Sequence, residues 1–238
     1  MLMKYAGFFV VFGISTMVSA VPVTAEWDFT AGINSKDGKY TAKLVGETIQ
    51  NSTGLVIPLA DKGKAQGLSL NEKYPELCSG AIRLTVVFSR RAEKAVEPFE
   101  FIWDSKGDYY DKKNGVPRDN SGFTLGLYNR GAIGKEFRPQ VWLGFGMKTC
   151  TVRGQFTPLV PNEKHVLIFE YDGKEYATFT IDGKLNAKVK VAPGGSLGAP
   201  FYTPTIGSRA VGNFFHFNGT IHTLKMEADI ETAKEAVP

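Results

Sequence analysis

The stretch of sequence that decides the fold is HVLIFEYDGKEYATFTIDGKLNAKVKV, residues 165–191. It consists of three short runs rich in β-branched and aromatic residues, in which apolar and polar positions tend to alternate, as in strands with one buried face. An Asp-Gly pair separates each run from the next, and Asp-Gly supplies the positive φ that a tight hairpin requires. The sequence therefore predicts a three-stranded antiparallel meander with strands at 165–171, 175–181 and 185–191.

The same pattern extends along most of the chain. Residues 81–88, 123–128 and 141–145 also alternate between the two kinds of side chain, and further Asp-Gly or Asn-Gly turn signals lie between the runs. The pattern predicts about a dozen strands and no helix of three turns. So many strands can bury their apolar faces only in two packed sheets or in a closed barrel.

The composition is that of one globular domain. Of 238 residues, 43% are hydrophobic, 12% aromatic and 22% charged, and no Pro- or Ser-rich linker divides the chain. Lys and Arg exceed Asp and Glu by 28 to 24, but the basic residues are scattered and form no stripe. Nucleic-acid-binding proteins usually carry such a stripe or a recognisable motif, so we expect no nucleic-acid partner.

The N-terminus has the layout of a secretory signal peptide. Lys4 precedes an uncharged run at 5–18, and small residues suited to cleavage end at Ala20 and at Ala25. A membrane-spanning helix needs about 20 apolar residues, and Gly, Ser and Thr weaken this run. We therefore expect export to the periplasm, the cell surface or the medium. The expected segments are a signal peptide at 1–25, cleaved after Ala20 or Ala25, a domain at 26–230 without membrane contact, and a polar tail at 231–238.

Export gives the two cysteines, Cys78 and Cys150, a structural meaning. An even number of cysteines in an exported chain predicts a disulfide. The bridge would close a loop of about 72 residues and would stabilise by roughly 4 kcal/mol in the chain-entropy model. Two buried free thiols are the alternative. No C-x-x-C motif is present, which argues against thiol redox chemistry and against a zinc-cysteine site.

Parts of the sequence resemble the laminin-G-like, concanavalin A-like jelly rolls. The meander carries the hairpin pattern of that family in Tyr171-Asp172-Gly173 and Ile181-Asp182-Gly183, and FNGTIHTLKM at 217–226 is similar to its closing strand. The opening Trp27-Asp28-Phe29 is similar to its first strand, which in the family pairs near the last. The resemblance implies an all-β, two-sheet antiparallel jelly-roll sandwich of the concanavalin A-like type over most of the domain.

The resemblance leaves several functions open, because the superfamily includes lectins, adhesion modules, glycosidases and structural domains. We favour a non-catalytic module that binds a carbohydrate or an extracellular glycoprotein. Alternation places Gln140 and Trp142 on the outer face of one strand and Tyr128 on the outer face of another. In this family, an exposed aromatic residue with amide neighbours on a sheet face holds glycans. The sequence leaves open whether the two strands are neighbours and whether a loop covers Trp142.

A second candidate site is the polar loop at 103–120, which is rich in Asp, Asn and Tyr. Tyrosine rings can stack on sugars, and carboxylate and amide oxygens are suitable ligands for calcium. The spacing does not match an EF-hand, and a solvated polar loop is the alternative. The candidates are Tyr109 and Tyr110 for ligand contact, and Asp104, Asp108, Asp111, Asn114 and Asp119 for a calcium ion.

Hydrolysis of a glycoside is the enzymatic alternative, and it requires two carboxylates that flank the scissile bond. The candidates are Glu100 with Asp104, and the string EADIE at 227–231, which resembles the E-x-D-x-E strand of family 16 glycoside hydrolases. The string ends the last predicted strand and has no aromatic neighbours, so we favour a non-catalytic function. A structural or assembly module without a small ligand is the third possibility.

Overall fold

The structure, a computed structural model, describes residues 22–59, 63–78, 80–93, 97–107, 120–129, 136–210 and 214–229. Within these ranges the protein is a sandwich of two antiparallel sheets, with sixteen strands and a 3-10 helix at Pro75–Cys78. The predicted fold class, all-β with two antiparallel sheets packed as a sandwich, is confirmed.

Sheet A contains eight of these strands. They are β1 (Val23–Asp28), β3 (Ile49–Asn51), β4 (Gly54–Ile57), β6 (Ile82–Arg90), β12 (Lys164–Tyr171), β13 (Tyr176–Ile181), β14 (Lys184–Lys190) and β16 (Gly219–Ala228). Their order across the sheet is β14-β13-β12-β6-β16-β4-β3, and β1 pairs with β16 beside this path.

Sheet B contains the other eight. They are β2 (Ala42–Val45), β5 (Gly67–Leu70), β7 (Phe99–Asp104), β8 (Gly122–Asn129), β9 (Glu136–Phe145), β10 (Lys148–Arg153), β11 (Thr157–Pro158) and β15 (Thr205–Ile206). Their order is β10-β9-β8-β7-β15-β5-β2, and β11 pairs with the start of β9. The strands β7, β8 and β9 are therefore neighbours, which decides where the outward residues of each can meet.

The predicted meander is confirmed as β12, β13 and β14, with strand ends that differ by one residue from the prediction. Asp182 and Gly183 both have positive φ, 48° and 75°, as a tight hairpin requires. In the other turn, the Asp172 carboxylate accepts hydrogen bonds from the backbone N–H groups of residues 174, 175 and 176. These local interactions explain why the sequence alone located both turns.

The core lies between the sheets and joins the inward residues of both. The Trp27 ring of sheet A lies 6.5 Å from the Trp103 ring of sheet B, and the Phe169 ring lies 6.4 Å from the Phe123 ring, centroid to centroid. All four side chains are fully buried. Burying one large apolar side chain stabilises by about 1.5–3 kcal/mol, so this layer is what holds the two sheets together.

One ion pair crosses the core between the sheets. Arg90 of β6 donates from Nε and Nη2 to the two carboxylate oxygens of Glu100 of β7, at 2.8 and 2.5 Å. Both side chains are at most 3% exposed, and the guanidinium carbon lies 3.8 Å from the centroid of the Phe137 ring. The backbone N–H of Asn218 donates to the same carboxylate at 3.2 Å. Burial raises the pKa of Glu100, and these donors oppose that rise.

More strands are present than the dozen predicted. The additional ones are short: β3 has three residues, and β11 and β15 have two each. A run of two or three residues is too short to show alternation, so the sequence pattern could not reveal these strands. They exist because a neighbouring strand offers hydrogen-bonding partners, as Ser69 and Asp104 do on either side of Thr205.

The strand β1 begins at Val23, three residues before the predicted domain start at 26. Ala25 is 1% exposed and lies opposite Met226 in the register with β16. The predicted signal peptide and polar tail concern residues 1–25 and 231–238, of which 1–21 and all of the tail lie outside the described residues. In the described ranges, no helix has both the length and the hydropathy needed to cross a bilayer.

The predicted disulfide is not present, because both cysteines are free. Cys78 ends the 3-10 helix, is buried, and lies 3.7 Å from the Ser105 hydroxyl. Cys150 lies on β10, the edge strand of sheet B, opposite Leu143. The thiols are free, as in the alternative, but only Cys78 is buried and Cys150 is half-buried. Burial raises the pKa of Cys78 to about 12, which makes it a poor nucleophile.

Candidate functional site

Aromatic side chains cover the outer face of sheet B. Alternation on β7, β8 and β9 points Phe99 and Phe101, Tyr128, and Trp142 away from the core, and the neighbouring positions of these strands bring them together. Phe215, from the segment before β16, joins them. We call these five residues the aromatic groove.

The rings of the aromatic groove contact one another. The Phe99 centroid lies 5.0 Å from that of Tyr128 and 5.1 Å from that of Trp142. The Phe101 centroid lies 5.5 Å from Trp142 and 4.9 Å from Phe215. These separations lie within the usual range for paired aromatic rings. Four of the five rings are partly exposed; Phe101 is 7% exposed and forms the floor.

The absence of a side chain at Gly126 leaves space for the Phe101 ring. Gly126 lies opposite Phe101 on one side and opposite Gln140 on the other. A Cβ atom here would lie 2.8 Å from the carbonyl oxygen of Glu100 and 2.9 Å from Cδ1 of Phe101. Both distances are shorter than real Cβ contacts, so a side chain at this position would displace the Phe101 ring.

Phe215 adopts a strained backbone conformation. Its φ is 59°, in the left-handed region, which costs a non-glycine residue about 1–3 kcal/mol. Two hydrogen bonds hold it there: its N–H donates to the Glu97 carboxylate, and its carbonyl oxygen accepts from the N–H of Phe101 at 2.8 Å. Such strain often occurs at functional sites. Here it places an aromatic ring on the groove.

The groove encloses a cavity of about 220 Å³. This volume is below the 300–1,000 Å³ or so of pockets that enclose a drug-sized ligand. A ligand larger than the cavity would therefore lie along the groove and extend beyond it. Phe99, Phe101, Trp142 and Phe215 supply its apolar lining, and its polar lining comes from Asp104, Lys106, Gly107, Thr124 and Arg209.

Asp104 is the carboxylate of this cavity, and it is only 3% exposed. One of its oxygens accepts hydrogen bonds from the Thr124 hydroxyl and from the backbone N–H of Lys106, at 3.3 Å for the latter. The other oxygen accepts from the backbone N–H of Ala210 at 2.9 Å. Burial raises the pKa of this carboxyl, while the hydrogen bonds and the charge of Arg209 oppose the rise.

A register shift between β7 and β8 makes the Asp104 side chain point to the outer face of sheet B. The register between β7 and β8 shifts between Phe101 and Trp103. Without that shift, residues an odd number of positions apart would point to opposite faces of the sheet. With it, Phe101 and Asp104 share the outer face while Trp103 faces the core. Alternation in the sequence alone could not predict this arrangement.

Arg138 places a positive charge at the end of the aromatic groove where Tyr128 lies. The Arg138 guanidinium carbon lies 4.7 Å from the centroid of the Tyr128 ring and 5.2 Å from that of Phe156. Its Nη2 donates to Oε1 of Gln140 at 3.4 Å. Burial and the charge of Arg153 together lower the pKa of Arg138.

Two of the three residues predicted for the exposed face lie side by side in the groove. Trp142 and Tyr128 are half-buried and share the ring of Phe99 as a neighbour. Gln140 also lies on this face, but it is 2% exposed and is therefore a support beneath the surface. The prediction left open whether the strands that carry these residues are neighbours. The structure shows that they are, since β8 pairs with β9 along the whole length of β8.

The prediction for the polar loop falls on residues that the structure describes only in part. Asp104, treated above, is the described member. The remaining candidates lie outside the described residues: Asp108, Tyr109, Tyr110, Asp111, Asn114 and Asp119. Across the described ranges, three or more His, Cys, Asp or Glu side chains nowhere cluster as a metal site would require. The calcium site stays a prediction.

Other residues of the groove were missed by the sequence analysis. Phe99 and Phe101 alternate in a run that ends at Asp104, and this pattern could have identified them. Phe215 carried no such signal, because it lies on no strand and reaches the groove through tertiary contacts alone.

Of the carboxylates considered for hydrolysis, Glu100 and Asp104 do not come together. Glu100 points into the core toward Arg90, whereas Asp104 faces the groove. Glu227 lies on sheet A, where it pairs with Lys225 at 2.9 Å and with Arg83 at 3.9 Å. Glu100 and Asp104 therefore do not flank a common space as hydrolysis requires, whereas Glu231 of the string at 227–231 lies outside the described residues.

No protein-family model matches this chain, and no curated protein matches it. Solved structures do resemble it in fold. Domain 4 of AbnA, a GH43 extracellular arabinanase from Geobacillus stearothermophilus, in complex with arabinotriose, is 15% identical with a TM-score of 0.53. The match covers 86% of this chain and 91% of that one.

Botulinum neurotoxin domains are also similar. The binding domain of neurotoxin DC, in complex with SialylT, is 9% identical with a TM-score of 0.53, over 87% of this chain and 45% of that one. The serotype G binding domain is 9% identical with a TM-score of 0.55, over 85% and 45%. This chain thus spans about half the length of the neurotoxin chains. Identities this low show the fold alone: the chain has a jelly-roll-like β-sandwich fold.

Proposed function

We propose that this protein is an exported, non-catalytic carbohydrate-binding module of the laminin-G-like, concanavalin A-like type, and that the sugar lies in the aromatic groove. One observation carries the proposal: partly exposed rings and a buried, hydrogen-bonded carboxylate converge on one cavity of an open sheet face. Apolar walls with a few placed polar groups are typical of ligand sites.

The roles of the residues follow from the chemistry of a sugar. A sugar ring has an apolar C–H face and a rim of hydroxyl groups, and an aromatic ring can cover that face. Trp142 and Tyr128 supply the covering surface. Phe99 and Phe101 hold both rings in position, and the backbone and side chains around Asp104 supply hydrogen-bonding partners at the cavity edge.

The structural neighbours support the ligand class. The arabinanase domain was solved in complex with arabinotriose, and a neurotoxin binding domain in complex with SialylT. The match covers 91% of the arabinanase domain but 45% of the neurotoxin chain, so the arabinanase domain is the stronger support for a carbohydrate, free or on a glycoprotein, as the partner of this chain. For export, we propose cleavage after Ala20, because this leaves β1 intact, whereas cleavage after Ala25 removes the half of β1 that pairs with residues 226–228.

The test is binding of the mature protein to a broad glycan array, measured with calcium and again with a chelator. We expect Trp142→Ala to lower the affinity for the selected glycan at least tenfold, about 1.4 kcal/mol. The matched control is Tyr176→Ala, which removes an exposed aromatic residue from β13 of sheet A. Equal losses in both variants, or no glycan bound, would contradict the proposal. Loss of binding on chelation would support the calcium site at 104–119.

A further inference from the structure

Among the residues that the structure describes, Arg138 is a partly buried cation without an anionic partner. Within the described part of the chain, its Nε atom is buried and has no hydrogen-bond partner, while its Nη2 atom donates to the neutral amide of Gln140 at 3.4 Å. The rings of Tyr128 and Phe156 flank the guanidinium group. A buried N–H without an acceptor is uncommon in folded proteins, and a ligand is one explanation for it.

Arg153 lies beside Arg138 and repels it. Arg153 is opposite Gln140 in the pairing of β10 with β9, so the two arginines are diagonal neighbours on the outer face of sheet B. The charge of Arg153 contributes to the lowered pKa of Arg138. Over the described ranges, no carboxylate lies within ion-pair distance of either arginine, whereas Arg83 and Arg90 each pair with a glutamate at 2.5 Å.

Two neighbouring guanidinium groups that share no carboxylate fit an anion. We propose that the groove takes an acidic oligosaccharide, whose carboxylate or sulfate group binds between Arg138 and Arg153. Guanidinium groups bind planar or tetrahedral oxyanions through two parallel N–H donors. The anion would supply the acceptor that Arg138 Nε lacks and would neutralise the repulsion between the two arginines.

The spacing along β9 sets the size of the ligand. Trp142 lies four residues after Arg138 on the same face of the strand, which is a distance of about 13 Å at 3.3 Å per residue. A backbone separation of this length favours a ligand of more than one sugar unit. The ligand is therefore an oligosaccharide, with one sugar ring on Trp142 and an acidic unit at the arginine pair. This inference rests on the proposed function, since it names the class of sugar that the groove takes.

The experiment uses two pairs of probes that differ in charge. Oligogalacturonides and their methyl esters differ in a carboxylate, and carrageenan and agarose oligosaccharides differ in a sulfate ester. Affinities are measured by calorimetry on the full mature chain in 0.15 M salt, which screens loose attraction between exposed charges. We expect the acidic member of one pair to bind at least tenfold more tightly than its neutral counterpart, and the pair that shows this identifies the anion.

Variants locate the effect. Arg138→Gln and Arg153→Gln should each lower the affinity for the acidic probe toward that of the neutral one. Arg138→Lys keeps the charge but not the paired donors, and it should also lose most of the preference. Lys43→Gln removes the same charge from β2, at the opposite edge of sheet B, and should retain the preference. Circular dichroism checks that each variant is folded.

Each outcome decides the question. Equal affinity for the acidic and neutral members of both pairs, with binding lost in Trp142→Ala, would overturn this inference and leave the proposed function standing. A preference that survives in both arginine variants would also overturn it. If no probe from either pair binds, this inference fails, and the glycan array then tests the proposed function separately.

Discussion

The outer faces of the two sheets differ in how their charges are satisfied. On sheet A, Arg83 pairs with Glu170 at 2.5 Å, and Lys225 pairs with Glu227 at 2.9 Å. On sheet B the outward positions of β7, β8 and β9 carry aromatic rings and Arg138, which donates to the neutral amide of Gln140. The sheets have the same number of strands and a common core. The difference lies entirely in the outward positions.

This difference between the outer faces indicates which sheet of the sandwich is suited to bind a ligand. Ion pairs on a solvated face contribute little to the free energy of unfolding, and their charges are already satisfied without a ligand. Partly exposed rings, and an arginine with no carboxylate partner among the described residues, can gain from a ligand. Sheet A is therefore the face with paired charges and sheet B the face proposed for binding, and the predictions below test that contrast.

The largest expected effect comes from breaking the ion pair beneath the groove. Arg90→Met leaves the Glu100 carboxylate buried without its partner, and we expect a loss of about 3–5 kcal/mol in the free energy of unfolding. Chemical denaturation monitored by tryptophan fluorescence measures it. The double variant Arg90→Met with Glu100→Leu should recover most of this loss, since it removes both buried charges. A double variant as unstable as the single one would show that packing, not charge, is responsible.

An intermediate effect is expected at Asp104, where burial raises the pKa of the carboxyl. A folded-state pKa above the unfolded value of 3.8 means that the folded protein binds the proton more readily as the pH falls. Wild type should therefore gain stability relative to Asp104→Asn between pH 7 and pH 4. Denaturation of both proteins across this range measures the difference, and a difference independent of pH would contradict the prediction.

Thr124→Val sharpens the same test. It removes the hydroxyl that donates to the Asp104 carboxylate. Hydrogen bonds to charged groups contribute about 1.5–3 kcal/mol, so we expect a loss of that order at pH 7 that becomes smaller in acid. A loss of equal size at both pH values would mean that the bond does not depend on the charge of Asp104.

The smallest effect is expected on sheet A. Arg83→Met removes the centre of the ion-pair network there, and the side chains concerned are between 18% and 43% exposed. Exposed ion pairs contribute about 0–1 kcal/mol, so the free energy of unfolding should change by less than about 1 kcal/mol. Glycan binding should not change at all. A loss of several kcal/mol, or of binding, would remove the contrast between the two faces.

Much of the fold could be predicted from local pattern. The meander at 165–191 was located to within a residue because alternation and the two Asp-Gly turns act over neighbouring positions. The short strands β11 and β15 were not found, since two residues carry no periodicity. The predicted disulfide was wrong, because an even number of cysteines does not show whether their side chains lie close together in the fold.

The site could be predicted in part. Alternation identified Trp142 and Tyr128 as outward residues, and both lie in the groove. It placed Gln140 on the same face but could not show that neighbouring side chains cover it. Phe215 was missed because its position depends on hydrogen bonds to Glu97 and Phe101, far away in the sequence.

The sequence by itself determined the all-β class, the hairpin turns and the side of the sheet to which most strand residues point. These properties depend on backbone geometry over a few residues and on the two-residue period of a strand. Only the tertiary structure decided that β7, β8 and β9 lie side by side, and that a register shift turns Asp104 into the groove. It also decided that Arg138 and Arg153 are diagonal neighbours, with no carboxylate paired to either in the described ranges. Strand order and register join residues far apart in the chain, and no local pattern encodes which strands will pair.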